Sequence, residues 1–323
     1  MFKIVITGSN LPNKDEEIRF LQDIARVVIN ENKSKKYLLE LIKDADAILV
    51  DTTILDEEIF TTSKKLKVVV EYGIGVDNID LVSATKNGVM VCNTPDVIIR
   101  EVAEHTIGLM FALFRCIPNA TIDVTRKGIW DFNLYQPKLL MGSTWGIIGL
   151  GRIGRTVAEI ALNLGFKVLA NDIKKPKDSV SGITLVPFDN LLQNSDIISL
   201  HVPLISDTKD LIGEGTLKLI KKDAYLINVS RGGIVNEIAL AKALDEGRIK
   251  GAALDVLESE PPEVGHPLFE YPNVIITPHM AWLSEKSALA LEIAAASEAK
   301  NVLQGNMPKN LVNKEVLKTK ESE

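Results

Sequence analysis

Aromatic side chains make up only 5% of this 323-residue chain, cysteine occurs twice and histidine four times. Cys92 and Cys116 form no CxxC pair and no metal-ligand spacing, so the sequence announces neither a disulfide framework nor a metal site. They read as reduced core thiols of a cytoplasmic protein. Positive charge is in slight deficit: 37 Lys and Arg against 43 Asp and Glu leave a net charge of −6. No basic stripe runs along the chain, which argues against a nucleic-acid or anionic-membrane partner. Long apolar runs are missing too. IGLMFALF (107–114) is well short of a membrane span, and the opening MFKIVITGSN turns polar too soon for a secretory signal.

What is present is the composition of a globular protein, 46% hydrophobic and 25% charged, in a length that implies two domains. FKIVITG, ARVVIN, DAILV, KVVVEYG and GVMVCN read as strands. The segments between them space apolar residues three or four apart, as helices do. Strands alternating with helices imply a parallel sheet covered on both faces. After Pro95, VIIREVAEHTIGLMFALFRCI reads as one long helix stopped at Pro118. Asn119 to Met141, with Trp130, Tyr135 and Pro137, reads as an irregular arm or interface segment. A second α/β series runs from STWGIIGLG through FKVLAND, ITLVPF, DIISLHVP, AYLINVS and IKGAALDVL to NVIITPH. The alanine-rich SEKSALALEIAAASEAKNVLQ is a helix stopped by Gly305, and the charged remainder reads as a frayed tail.

WGIIGLGRIG leads a strand into Gly149-x-Gly151-x-x-Gly154, with Arg152 and Ile153 of the turn counted among the cofactor-binding residues, and then into the helical RTVAEIALNLG. A lone GxGxxG is a weak signal. Here it follows an apolar run, precedes an amphipathic helix, and is followed by FKVLAND, whose Asp172 stands near the spacing expected of a ribose-binding acid. Gly149 allows the tight turn, Gly151 the approach of a pyrophosphate to the helix N-terminus, and Gly154 close packing. Asp172 accepts from ribose hydroxyls and repels a 2′-phosphate. That favours NAD over NADP, with Lys174 and Lys175 near enough to keep selectivity open.

Of the four histidines, His105 lies mid-helix and reads as a boundary residue, and His266 sits in a polar loop. His201 and His279 follow strand-like runs, where open α/β sheets bind their ligands. His201 leads into the turn of Val202 and Pro203, whose backbone suits a cofactor. His279 has the better company. Arg231, just past AYLINVS, suits two-pronged binding of a carboxylate. KGAALDVLESEPP places Asp255 at a strand end and Glu260 in the following loop, and a carboxylate beside an imidazole raises its pKa.

GIIGLGRIG, AND, HVPL, NVSRGGIVNE, GAALDVLESEPP and TPH, together with EYGIGVDNIDL, GVMVCNTPD and VAEHT, make the chain resemble the D-isomer-specific 2-hydroxyacid dehydrogenases over almost its whole length. TPHMAWLSEKS looks most like the branch containing the C-terminal-binding-protein corepressors. The resemblance implies two Rossmann/flavodoxin-like doubly wound domains with a cleft between them. Residues 1–97 with 299–323 would bind substrate and residues 98–298 NAD. It implies Arg231 as the substrate-orienting arginine, Glu260 as the carboxylate partner and His279 as the acid/base. It further implies a loop at Tyr72, Gly73, Ile74 and Gly75 that grips the substrate carboxylate, with Trp282 beside the substrate. Thr106, His201, Val202, Pro203, Thr208, Val229, Ser230 and Asp255 would line the cofactor. The activity implied is hydride transfer between NAD and a small D-2-hydroxy acid, in a homodimer without a metal. An NAD(H)-sensing scaffold is the alternative.

Overall fold

The alternation in the sequence becomes two sheets in which every strand pairing is parallel. The computed structural model describes residues 1–9, 11, 14–32, 34–174 and 181–320. Lys175 lies outside them.

The chain divides into two units, Met1–Ile98 with Leu283–Glu323, and Ile99–Trp282. In the first, β1 (Phe2–Thr7), α1 (Asp15–Leu21), β2 (Ala25–Asn30), α2 (Lys35–Ile42), β3 (Ala47–Val50), α3 (Glu57–Thr62), β4 (Val68–Glu71), α4 (Leu81–Lys86) and β5 (Met90–Cys92) follow in order. The sheet order is β2-β1-β3-β4-β5. Every residue of β3 and β4 is buried, which is why AILV and VVVE are continuous runs rather than alternating ones.

The second unit contains α5 (Ile99–Phe114), α6 (Ile117–Lys127), β6 (Thr144–Ile148), α7 (Arg152–Asn163), β7 (Lys167–Asn171), β8 (Ile183–Leu185), α8 (Phe188–Asn194), β9 (Ile197–Leu200), α9 (Glu214–Leu217), β10 (Tyr225–Asn228), α10 (Glu237–Asp245), β11 (Gly251–Leu254) and β12 (Val274–Ile276). Its sheet order is β12-β11-β10-β9-β6-β7-β8. Strand order reverses at β6, which pairs with β7 on one side and β9 on the other. This is the switch point at which such sheets take nucleotides. The first unit is completed by α11 (Ser287–Leu303) and α12 (Val316–Lys320).

Three expectations need correcting. The long helix after Pro95 is two helices, α5 and α6, bent by 61°. Cys116 takes left-handed backbone (φ 55°) and Pro118 lies in the first turn of α6, so the proline opens a helix instead of stopping one. The arm therefore begins as helix.

Residues 283–298 belong to the first unit, not the second, because α11 packs on α1, β3 and β4. The tail is not frayed over 310–313 either. Val312 donates its N–H to the Val91 carbonyl at 2.8 Å. The Asn313 side chain accepts from Val91 N–H at 2.8 Å and donates to the carbonyl of Val89 and the hydroxyl of Thr85, both at 2.9 Å.

Candidate active site

The glycines after β6 are shaped by close backbone approaches. Gly149 has φ 91°, and a Cβ there would lie 2.4 Å from the His201 carbonyl oxygen. A Cβ on Gly154 would lie 2.0 Å from the oxygen of Gly149, whereas Gly151 faces open space. Gly151 caps α7, and Arg152 and Ile153 form its first turn. The amide N–H groups of Gly151 and Ile153 have no acceptor among the described residues. An open backbone at the positive end of a 12-residue helix fits the pyrophosphate of a dinucleotide.

Asp172, at the end of β7, accepts from the N–H of Leu150 at 2.7 Å and from that of Lys174 at 2.8 Å, one on each oxygen. Each oxygen keeps a lone pair for a ribose hydroxyl. These residues fit NAD on their chemistry.

His279 follows β12 and stands in left-handed backbone, φ 50°, a conformation that costs a non-glycine residue about 1–3 kcal/mol. Asp255, at the end of β11, holds it there. The Asp255 carbonyl accepts from His279 N–H at 2.8 Å. Its carboxylate accepts from the amides of Met280 and Ala281 at 2.9 and 2.8 Å and from the Thr277 hydroxyl at 2.6 Å. Burial pushes the Asp255 pKa up, but hydrogen bonds from His105, Thr277 and the two amides outweigh it and hold the group below the usual carboxylate range.

Nδ1 of His279 lies 2.6 Å from Oε2 of Glu260. Glu260 itself is steadied by the Leu257 N–H, which donates to Oε1 at 3.1 Å. The hydrogen bond to Glu260 raises the His279 pKa, against burial and the positive charge of Arg231. With Nδ1–H committed to Glu260, Nε2 is the nitrogen left to exchange a proton with a ligand.

Arg231 leaves β10 with its guanidinium donating to the Ser230 carbonyl at 2.9 Å. Asn228 fixes this corner: its carboxamide donates to the Arg231 carbonyl at 2.7 Å and accepts from Ser230 N–H at 3.0 Å. Thus Arg231, Glu260 and His279 come together after β10, β11 and β12. The indole N–H of Trp282 donates to the His279 carbonyl at 3.0 Å, which ties the ring to the His279 backbone.

Other expected residues are placed differently. Burial lowers the pKa of His201 to about 3, so it stays neutral and is unsuited to proton transfer. Its Nε2 lies 2.9 Å from the Ser199 hydroxyl, and its buried Nδ1 has no partner among the described residues. Thr106 is buried and its hydroxyl donates to the Val102 carbonyl at 2.7 Å. Val229 is buried, and the Ser230 hydroxyl donates to the Leu200 carbonyl at 2.6 Å. Thr208 closes the loop after β9 by donating to the Pro203 carbonyl at 2.6 Å. Val202 is half-buried and Pro203 exposed.

In the first unit, the Tyr72 side chain is buried, its hydroxyl 2.9 Å from both carboxyl oxygens of Glu17. Gly73 N–H donates to Glu71 at 3.2 Å. Only the amides of Ile74 and Gly75 in that quartet have no acceptor among the described residues.

Sequence reasoning passed over His105, whose Nε2 lies 3.1 Å from the Thr277 hydroxyl in the network behind His279. A position mid-helix gives no sign of that.

The profile of the D-isomer specific 2-hydroxyacid dehydrogenase NAD-binding domain matches residues 107–281. A D-3-phosphoglycerate dehydrogenase of Methanocaldococcus jannaschii is 40% identical over 97% of this chain, which spans 60% of that relative's length. A glyoxylate reductase of Thermofilum pendens is 42% identical over 94% of this chain and 93% of its own. Among solved structures, the D-lactate dehydrogenase of Aquifex aeolicus complexed with NAD and lactic acid has 30% identity and a TM-score of 0.88, covering 96% of this chain and 99% of that one. With the dinucleotide fingerprint at the switch point and the histidine, glutamate and arginine beyond three successive strands, these matches establish that the chain belongs to the NAD-dependent D-isomer specific 2-hydroxyacid dehydrogenases.

Proposed function

We propose that the protein interconverts a small D-2-hydroxy acid and its 2-oxo acid. The observation that carries this reading is the 2.6 Å contact between His279 and Glu260, with Arg231 close enough for its charge to act on the same imidazole. When bound, NADH would supply the hydride to C2 in reduction and NAD⁺ would accept it in oxidation. In reduction, His279 gives its Nε2 proton to the 2-oxo oxygen. In oxidation, the neutral imidazole takes the hydroxyl proton. Glu260 holds the ring by its Nδ1–H and steadies the charge when the ring is protonated. Arg231 binds the carboxylate and the 2-oxo oxygen, polarising the carbonyl. Contacts from Ile74, Gly75 and Trp282 to substrate belong to the same proposal, as does the preference of Asp172 for NAD.

Loss of NADH absorbance with glyoxylate, hydroxypyruvate, pyruvate and phosphohydroxypyruvate tests the reading, and turnover on at least one is expected. NADH binding without turnover on any would favour the NAD(H)-sensing scaffold. A cytoplasmic homodimer is part of the proposal. It is supported by two free thiols and by exposed Ile122, Trp130, Phe132, Leu139 and Met141 along the arm, an apolar surface of the kind that oligomers cover. A monomer by light scattering would overturn the dimer.

A further inference from the structure

Glu260 sits in an irregular stretch, residues 255–266, between β11 and the turn Pro267–Glu270. With no regular hydrogen-bond ladder of its own, that stretch takes its shape from neighbours. One side chain reaches both of its ends. Glu237, the first residue of α10, accepts from the Glu258 N–H through Oε1 at 2.7 Å. Its Oε2 lies 2.9 Å from Nε2 of His266. His266 Nδ1 accepts from Leu268 N–H at 3.3 Å, which assigns the imidazole proton to Nε2 and makes that ring the donor to Glu237.

The His266 and Glu237 side chains are only 14% and 12% exposed, so this hydrogen bond from a neutral imidazole to a carboxylate is largely shielded from competing water. Between the two clasped points lies Glu260. Beneath the near end lies Gly232, where a Cβ would stand 2.0 Å from the carbonyl carbon and oxygen of Leu257 and 2.3 Å from the nitrogen of Glu258. The loop backbone thus rests directly on the residue after Arg231.

We propose that Glu237 is a positioning residue for the reaction: by clasping the loop at Glu258 and His266, it holds the Glu260 carboxylate against Nδ1 of His279 and so sets the proton affinity of that imidazole. The proposal rests on the reading of His279 as the acid/base. The groups acting on His279 are Glu260 and Asp255, which favour its protonated form, and Arg231, which opposes it. Those gathered at the clasp are His266, Glu258 and, by charge on Glu258, Asp210 and Lys209. The supporting group here does what outer partners do at metal sites: it fixes the orientation of a group that touches the chemistry.

The test titrates His279 by NMR in the full chain with ¹³C-labelled histidine. Only four histidines are present, so each signal is assignable by single substitution. Glu260→Gln should lower the His279 midpoint by about one pH unit. Glu237→Ala should lower it in the same direction, roughly half as far, and His266→Phe, which opens only the far end, by less. If Glu237→Ala does not fold, Glu237→Gln carries the test, since it keeps the shape but presents an amide where one donor expects an oxygen. An unmoved His279 midpoint in the folded Glu237 variant, beside a lowered one in Glu260→Gln, overturns the proposal. The titration needs no turnover, so an inactive substrate screen and an unmoved midpoint are separate failures. Where turnover is found, the pH limb of kcat/KM in Glu237→Ala should follow the NMR midpoint, which a merely structural role would leave in place.

Discussion

In the first unit, α1 carries Glu17 into the protein interior, fully buried, with Tyr72 as its hydrogen-bond partner through both oxygens. Burial pushes its pKa up to about 8, against the Tyr72 hydrogen bond and the Lys14 charge, while Glu292 pushes it further up. Unfolded, the group titrates near 4.5. The folded protein therefore binds the extra proton between these values. The stability this contributes is fully present below about 4.5 and is lost as pH rises through about 8.

The window spans 3.5 pH units (8 − 4.5). At ~1.4 kcal/mol per unit the ceiling is ~5 kcal/mol, and relaxation around the carboxylate should leave on the order of 3 kcal/mol. Glu17→Gln removes the titration and keeps an acceptor for Tyr72. Urea unfolding from about pH 5 to about pH 9 should show wild-type stability falling with pH and the variant nearly level. All three tryptophans, Trp130, Trp145 and Trp282, lie in the Ile99–Trp282 unit. Circular dichroism, which follows both units, is the signal in which the pH dependence should appear, since fluorescence reports only on the unit that lacks Glu17. Equal pH slopes for wild type and Glu17→Gln would refute the reasoning.

Further outcomes follow from the second unit. His279→Ala should cut turnover by ~10²–10⁴ with NADH affinity nearly intact; turnover near the wild-type rate would remove the acid/base role. Because Glu260 raises the His279 pKa, 2-oxo acid reduction should hold through neutrality and fall as pH passes the raised value, with oxidation rising over the same range. A pH–rate profile in which both directions move together would contradict this. Asp172→Ala should shift the ratio of kcat/KM for NAD over NADP towards NADP by roughly tenfold, the worth of one charge-assisted hydrogen bond. An unchanged ratio would assign selectivity to another group.

The strands were legible because a parallel sheet demands buried apolar runs, and AILV or YLIN has no other comfortable home. The nucleotide turn and the trio Arg231, Glu260 and His279 were legible for a related reason: in such sheets chemistry gathers past strand ends, and strand ends can be read. What stayed hidden depends on where loops and long helices go. Pro118 is the same local signal whether it ends one helix or begins the next, and only the left-handed turn at Cys116 decides. The apolar face of α11 fits any sheet, and its packing on β3 and β4 assigns it to the first unit. Glu17 meets Tyr72 across 55 residues, and Glu237 meets Glu258 across 21. Neither pairing leaves a periodicity or a motif.

The return of the chain to the first unit has a consequence for how the protein is made. A ribosome delivers β1–β5 first, yet α11, whose Leu291, Ala295, Ala299 and Leu303 are buried in the finished unit, arrives nearly two hundred residues after β5. Until then one face of β3 and β4 lacks its helical cover, the other being packed by Leu38, Ile42, Ile59 and Phe60 of α2 and α3, and the β5 edge lacks the strand-like stretch around Leu311 that bridges to Cys92. The Ile99–Trp282 unit is one continuous stretch and has everything it needs as soon as it emerges. The first unit to begin synthesis is therefore completed after the second, and the nascent chain carries an open sheet face, with its attendant risk of sticking to a neighbour, while the intervening residues emerge.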